Sequence, residues 1–146
     1  MLVLLQRVSS ARVEVAGTTV GEIGDGLLVL LCAEPADTRA QADKLVDKLL
    51  KLRIFSDDAG KMNRSVQDIG GGMLIVAQFT LAADTSAGNR PSFGGAAPAA
   101  QGRALYEQVL QLARLRHAPV AAGEFGAAMQ VHLINDGPVT IPLTVR

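Results

Sequence analysis

Three patterns along this chain predict a mixed α/β domain, rich in strands and carrying two helices. Short apolar runs, some alternating and some continuous, recur through the first third and again near the end. Two segments, about 38–53 and 102–116, instead repeat their apolar residues at helical spacing. No internal repeat appears, and nothing divides the chain into two parts, so residues 1–146 are read as a single domain. Strands first, helices interspersed and strands last point to sheet layers with helices covering one side.

Taken in order, Leu2–Val8 is expected to be a buried strand. Arg12–Ala16 alternates, with Val13 and Val15 on one face, and Gly17 permits a turn into Thr19–Ile23. Gly24-Asp25-Gly26 signals a further turn before Leu27–Ala33, an unbroken apolar run of the kind covered on both faces. Thr38 offers helix-cap chemistry, and Gln41 three residues later completes a capping box. Ala42, Leu45, Val46, Leu49 and Leu52 then form an apolar stripe through about Arg53. Lys44, Lys48 and Lys51 fall largely on the opposite face, which reads most simply as solvated surface and alternatively as a phosphate-steering one.

Ile54–Ser56 resumes as a short extended piece before a turn at 58–61. Gly70-Gly71-Gly72 breaks the chain, and Met73–Gln78 forms a buried strand that ends at Thr80. From Ala82 to Gln101 the chain is rich in Gly, Ala, Ser and Pro and is expected to be a long loop, a feature compact domains often reserve for function. A second helix is predicted from about Gly102 to Arg116, with Leu105, Val109, Leu112 and Ala113 facing inward. Met129, Val131 and Leu133 alternate along a late strand; Val139, Ile141 and Leu143 lie along a last one.

The 14 Lys and Arg residues balance 14 Asp and Glu residues. That neutrality argues against a protein that wraps along nucleic acid, where many phosphates must be neutralised. Gripping only the end of an RNA stays open. The one cysteine, Cys32, sits inside the 27–33 apolar run, so no internal disulfide exists and a buried, inert thiol is expected, in keeping with a reducing cytosol. The N-terminal run lacks a basic start and is broken by Gln6 and Arg7, unlike a secretory signal. No apolar stretch approaches the roughly 18 residues of a membrane span. A soluble cytoplasmic protein without a membrane partner is the expectation.

His117 and His132 are the only histidines, and no HExxH, CxxC or carboxylate cluster accompanies them, so neither a metal nor a cofactor is expected. Neither histidine lies near a Gly-x-Ser-x-Gly elbow. Gly70-Gly71-Gly72 precedes a strand rather than a helix, unlike a phosphate loop. What remains is a site without evident acid–base machinery. Thr80, at the end of its strand, offers a hydroxyl to a cleft, or is a β-branched residue packing locally. Gln78, polar within an apolar run, requires a partner that a substrate or a neighbouring backbone group could provide. In Asn135-Asp136-Gly137-Pro138-Val139-Thr140, Pro138 cannot donate to a ladder and Gly137 has no side chain to pack. A stiff corner there assigns the work to main-chain atoms.

Ala77-Gln78-Phe79-Thr80-Leu81 and the 135–140 segment together resemble the D-aminoacyl-tRNA deacylase (D-tyrosyl-tRNA deacylase) family. The resemblance spans nearly the whole chain. It includes Leu5-Gln6-Arg7-Val8, Gly21-Glu22-Ile23-Gly24, Arg53-Ile54-Phe55-Ser56-Asp57, Gly60-Lys61-Met62-Asn63, Arg90-Pro91-Ser92-Phe93 and Met129-Gln130-Val131. It implies a three-layer ββα sandwich of mostly antiparallel sheets with two main helices. It also implies a homodimer with its site at the subunit interface, no cofactor, and hydrolysis of the ester joining a D-amino acid to the tRNA 3′ end.

In that family the Gly-Pro bond is cis and the pair enters the partner's pocket, a role that falls here to Gly137 and Pro138. An L side chain would collide with that backbone and a D side chain would point outward. Glycine would not be rejected, so glycyl-tRNA is implied as a second substrate. Discrimination of about 10⁴ needs roughly 5.5 kcal/mol, which steric exclusion delivers more readily than attraction in an apolar pocket. Gln78, Phe79 and Thr80 match the other signature, whose backbone N–H groups would hold an oxyanion. Position 77 departs from the common serine: Ala77 can lend no hydroxyl.

Thr80 would either attack the ester or line the pocket; assistance by the terminal ribose 2′-hydroxyl is the favoured route. Arg7 would fix the Gly137-Pro138 corner by bonding a carbonyl, or would reach solvent from a strand end. Phe125 and Met129 resemble family residues near the terminal adenine and the Gly-Pro loop, or would serve in the core. Two other classes stay open: a module that holds RNA ends without turnover, and an esterase or peptidase for small D-amino-acid compounds.

Overall fold

In a computed structural model describing residues 1–146, the first 15 residues set the architecture. Leu2–Val15 is one strand, β1, rather than two. Its first half pairs antiparallel with β3 (Gly26–Cys32) and its second half with β2 (Thr18–Ile23), so β2 and β3 occupy the same side of β1 in succession. On the other side a single 15-residue strand, β8 (Gln130–Thr144), pairs with both halves. The two late strands expected from the alternation are therefore one, interrupted where register shifts near Val8 leave Asp136–Val139 without partners on β1. Beyond β3 the sheet continues in parallel through β6 (Gly72–Ala77) to a short β7 (Val120–Ala122) that the sequence pattern did not reveal. β4 (Phe55–Ser56) and β5 (Met62–Arg64) form a small separate ribbon.

Alternation of the central strands builds two cores. Leu27, Val29, Leu31, Met73 and Ile75 point to the helices, while Leu28, Leu74 and Val76 point away to meet Val8, Ala11, Val13 and Ile23. The sheet curls so far that the backbone of β7 reaches β2: a Cβ at Gly21 would lie 2.3 Å from the Ala122 carbonyl oxygen. The ββα layering thus comes from one curled mixed sheet with a helical layer on one face. Of its five strand pairings, those made by β1 are antiparallel and those made by β6 are parallel.

Helix α1 (Arg39–Lys51) begins as its sequence predicts. The Thr38 hydroxyl accepts from the Ala40 amide, and the Gln41 side chain accepts from the Thr38 amide at 2.7 Å. Thr38→Ala is expected to lower stability by about 1 kcal/mol, measurable as a shifted urea midpoint with an unchanged slope. Lys44, Lys48 and Lys51 are exposed, opposite the buried Ala42, Leu45, Val46 and Leu49. Helix α2 (Ala99–Arg116) starts three residues earlier than expected, because Pro98 leads in as a compatible residue and the alanines after it continue the helix. Its buried face also includes Tyr106 and Leu110. No helix is long and apolar enough to cross a membrane.

Candidate active site

Strand β6 stops at Ala77, before the expected end. Gln78 adopts φ −145° and ψ 76°, and Phe79–Ala82 then winds into a single 3₁₀ turn. Thr80 accordingly lies within a turn beyond the strand rather than at its last residue. The Gln78 amide donates to Leu31 O at 2.7 Å, which ties this change of direction to β3. The Gln78 side-chain amide donates to the Thr80 hydroxyl, so the two polar side chains pair with each other. Both are half-buried, whereas Phe79 is 60 % exposed and meets Phe93 edge-on with ring centroids 5.2 Å apart.

A cavity of about 650 Å³ opens beside this turn. Gln78 and Phe79 form one wall, Phe125 and Met129 another, and the opening residues of α2 close a third. Small residues before and within its first turns, among them Ala96, Ala97, Ala99 and Gly102, keep the space open. No charged side chain lines it. Cys32 also lines it, but its thiol donates to carbonyls of Ala33 and Phe79, and burial, aided by nearby Glu34, pushes its pKa up. A thiol so placed is a poor nucleophile. Tyr106 donates its hydroxyl to Ile75 O at 2.7 Å, and burial raises its pKa to about 12. It is a neutral structural donor at the cavity floor.

The structure brings together Gln78, Phe79, Phe125 and Met129, with Thr80 attached through Gln78. It does not bring Arg7, Gly137 or Pro138 to the cavity wall. They form a second feature, on β1 and β8. The Gly137–Pro138 peptide bond is cis, and Asn135–Pro138 are exposed. Arg7 extends the inward row of Val3 and Leu5 and spans two loops: its guanidinium donates to Asp136 O at 2.9 Å and to Ile54 O at 2.7 Å. The Asp136 carboxylate stands 3.3 Å from the same group. From the other side the Asn135 side-chain amide donates to Arg7 O at 2.9 Å and Val139 O at 3.1 Å. The corner's main chain is thus held by side-chain bonds while its outer surface stays free.

Phe93 and Tyr106 belong to the cavity and were not singled out by sequence reasoning. Phe93 was legible only as part of its matching block; Tyr106, the sole tyrosine, fell on a helix face that reads as core. No group of three or more His, Cys, Asp or Glu side chains is arranged as a metal site.

A family model described as D-Tyr-tRNA(Tyr) deacylase matches residues 4–144. A protein of Methylibium petroleiphilum named D-aminoacyl-tRNA deacylase is 75% identical over 145 residues, covering 99% of this chain and 95% of that protein. One of the same name from an Azoarcus species is 66% identical over 145 residues, covering 99% and 96%. A solved structure named c-Myc DNA Unwinding Element Binding Protein superposes with a TM-score of 0.94 at 41% identity, over 100% of this chain and 99% of that one. A structure described as a probable eukaryotic D-amino acid tRNA deacylase gives 0.83 at 20% identity over 97% of each, a likeness of fold. With the match running through both the Gln78-Phe79-Thr80 turn and the Gly137-Pro138 corner, this chain belongs to the D-Tyr-tRNA(Tyr) deacylase family.

Proposed function

We propose that this protein hydrolyses the ester of D-aminoacyl-tRNA, releasing free D-amino acid and tRNA, and that it does so as a cytoplasmic homodimer. One observation carries the reading. The uncharged cavity at Gln78 and Phe79 and the outward main-chain corner at Gly137 and Pro138 are separate features of one subunit. A second copy supplies the corner that the cavity of the first lacks. The outer side of β8 favours such pairing: the strand has no neighbour but β1, and Ile134, beside the corner, is 61 % exposed. Long unprotected edges with apolar residues are where chains associate.

In the completed site, the aminoacyl group enters the cavity with its α-carbon against Gly137 and Pro138. Main chain cannot move aside as a side chain can, so an L side chain is excluded and a D side chain is tolerated. Glycine passes, which makes glycyl-tRNA a substrate as well. The opening amides of a helix have no acceptor within it, and those of Phe79 and Thr80 would receive the developing oxyanion. Gln78 orients this turn through its bond to Thr80. Phe125 and Met129 receive the terminal adenine. The attacking water is activated by the ribose 2′-hydroxyl of the substrate. Thr80→Ala is therefore expected to slow single-turnover deacylation less than about tenfold; a loss of many orders of magnitude would make Thr80 the nucleophile.

The deciding experiment incubates purified protein with D-tyrosyl-tRNA, L-tyrosyl-tRNA and a D-amino-acid methyl ester. Selective release from the first is expected. Turnover of the methyl ester alone would favour a small-molecule esterase. No turnover at all would favour a binding module, the class to which the solved relative named for a DNA element points. Zero net charge and an uncharged cavity wall weigh against broad contact with a phosphate backbone.

A further inference from the structure

We infer that Arg103 is a single-phosphate clamp at the mouth of the cavity, binding the phosphodiester that joins the terminal adenosine to the preceding nucleotide. The inference rests on the deacylase reading and adds a subsite to it. Ala99, Gly102 and Tyr106 line the cavity from α2, and Arg103, four residues after Ala99 and three before Tyr106, is exposed on the neighbouring helix surface. Its guanidinium carbon sits 4.7 Å from the ring centroid of Phe125, a cavity-wall residue. Glu107, four residues further along α2, is in helical reach, and Glu124 precedes Phe125 in sequence, yet neither forms an ion pair with Arg103. The result is an exposed cation lying over an aromatic face, its N–H groups uncommitted to any protein group.

A guanidinium whose charge rests over an aromatic ring and whose N–H donors have no protein acceptor keeps them for a partner, and the fork of two N–H groups matches two phosphate oxygens. The cavity itself offers no charge, so the anion served must lie outside it. For a substrate whose last base and aminoacyl group fill the cavity, the anion at the rim is the phosphodiester just before the terminal adenosine. Arg90, Arg114, Lys48 and Lys61 are likewise without ion-pair partners, but none lines the cavity or stacks on a residue that does. One clamp, not a stripe, is what a neutral protein gripping an RNA end requires.

The test compares two esters of the same D-amino acid, one on adenosine lacking any phosphate and one on a short oligonucleotide ending in adenosine. Wild type should prefer the oligonucleotide in kcat/KM, and Arg103→Gln should reduce that preference by roughly fivefold to tenfold, with Arg103→Lys between. The loss should lie in KM. On the oligonucleotide, log KM against log salt should flatten in Arg103→Gln by about 0.7, the slope of one single-strand phosphate contact. An unaltered preference, with both esters losing equally, would mean that Arg103 only supports Phe125 and would overturn the clamp. If wild type hydrolyses neither ester, the deacylase reading fails and the clamp with it. Thermal melting of each variant separates these outcomes from misfolding.

Discussion

Replacing Gly137 with alanine is expected to lower kcat/KM for D-aminoacyl-tRNA by roughly 100-fold, because a displacement near 1 Å at a positioning element has that effect. The cause is local. A Cβ at 137 would stand 2.3 Å from Asn135 Oδ1 and 3.2 Å from the Val139 amide nitrogen. The Asn135 side chain cannot simply swing away, since its amide nitrogen already joins Arg7 O to Val139 O. Relief must come from the backbone of the corner itself, which is the surface proposed to judge chirality. The D-over-L ratio should fall together with the rate. Because the corner is exposed, the melting temperature should move by only a few degrees. Deacylation kinetics on both enantiomers, with a melt on the same sample, check all three expectations. An alanine variant with wild-type rate and selectivity would remove the corner from the mechanism.

Arg7→Ala is expected to have a similar effect on activity, about 30-fold to 100-fold, with an additional loss of roughly 2 kcal/mol in stability. Arg7 is 13 % exposed at its side chain and is the common donor to the 54 and 136 carbonyls. Truncation leaves both acceptors without this partner and removes the cation facing Asp136. Arg7→Lys should rescue stability better than rate, since one ammonium cannot reproduce a planar fork to two separate oxygens. Urea unfolding and single-turnover deacylation of the three proteins separate these contributions. A destabilised but fully active Arg7→Ala would reduce Arg7 to a structural role.

Local chemistry makes much of this fold legible in the sequence. The Thr38–Gln41 box and the apolar stripe behind it gave α1 within a residue or two, because a cap and a period of 3.6 are both written in neighbouring residues. The apolar runs at 27–33 and 73–78 read correctly as buried strands, since burial on both faces leaves few polar positions, although the second ends at Ala77. What failed was long-range. Nothing near Ser9 and Ser10 says that β1 runs on from one β partner to the next, and the Gly-Pro break at 137–138 looked like the end of one strand and the start of another. Both halves of β8 are in fact registered by the same β1. The three residues of β7 are too few to show a period, and they owe their pairing to β6.

The candidate site divides in the same way. Gln78-Phe79 is far in sequence from Phe125 and Met129, and the two became neighbours through the parallel pairing of β6 and β7, after which both segments leave the sheet at the same end. Gln78 stood out as a polar residue in an apolar run, whereas Phe79, Phe125 and Met129 were selected by family likeness, which covers pattern rather than geometry. Thr80 was expected at the end of the buried strand, but the chain leaves the sheet once the Gln78 amide has bonded Leu31 O. Arg103 was invisible because a lone arginine on a polar helix face looks like any solvated cation; only its place over Phe125 distinguishes it.

The most direct test of the central claim, that the corner of one subunit completes the cavity of another, is subunit complementation. Ala127→Trp fills the cavity, and Gly137→Ala damages the corner; each protein alone should be nearly inactive. Unfolded together and refolded as a mixture, they should recover about a quarter of the wild-type rate on D-tyrosyl-tRNA, since half the dimers of a symmetric pair are mixed and each contains one intact site. A mixture no more active than the average of its two components would contradict the account.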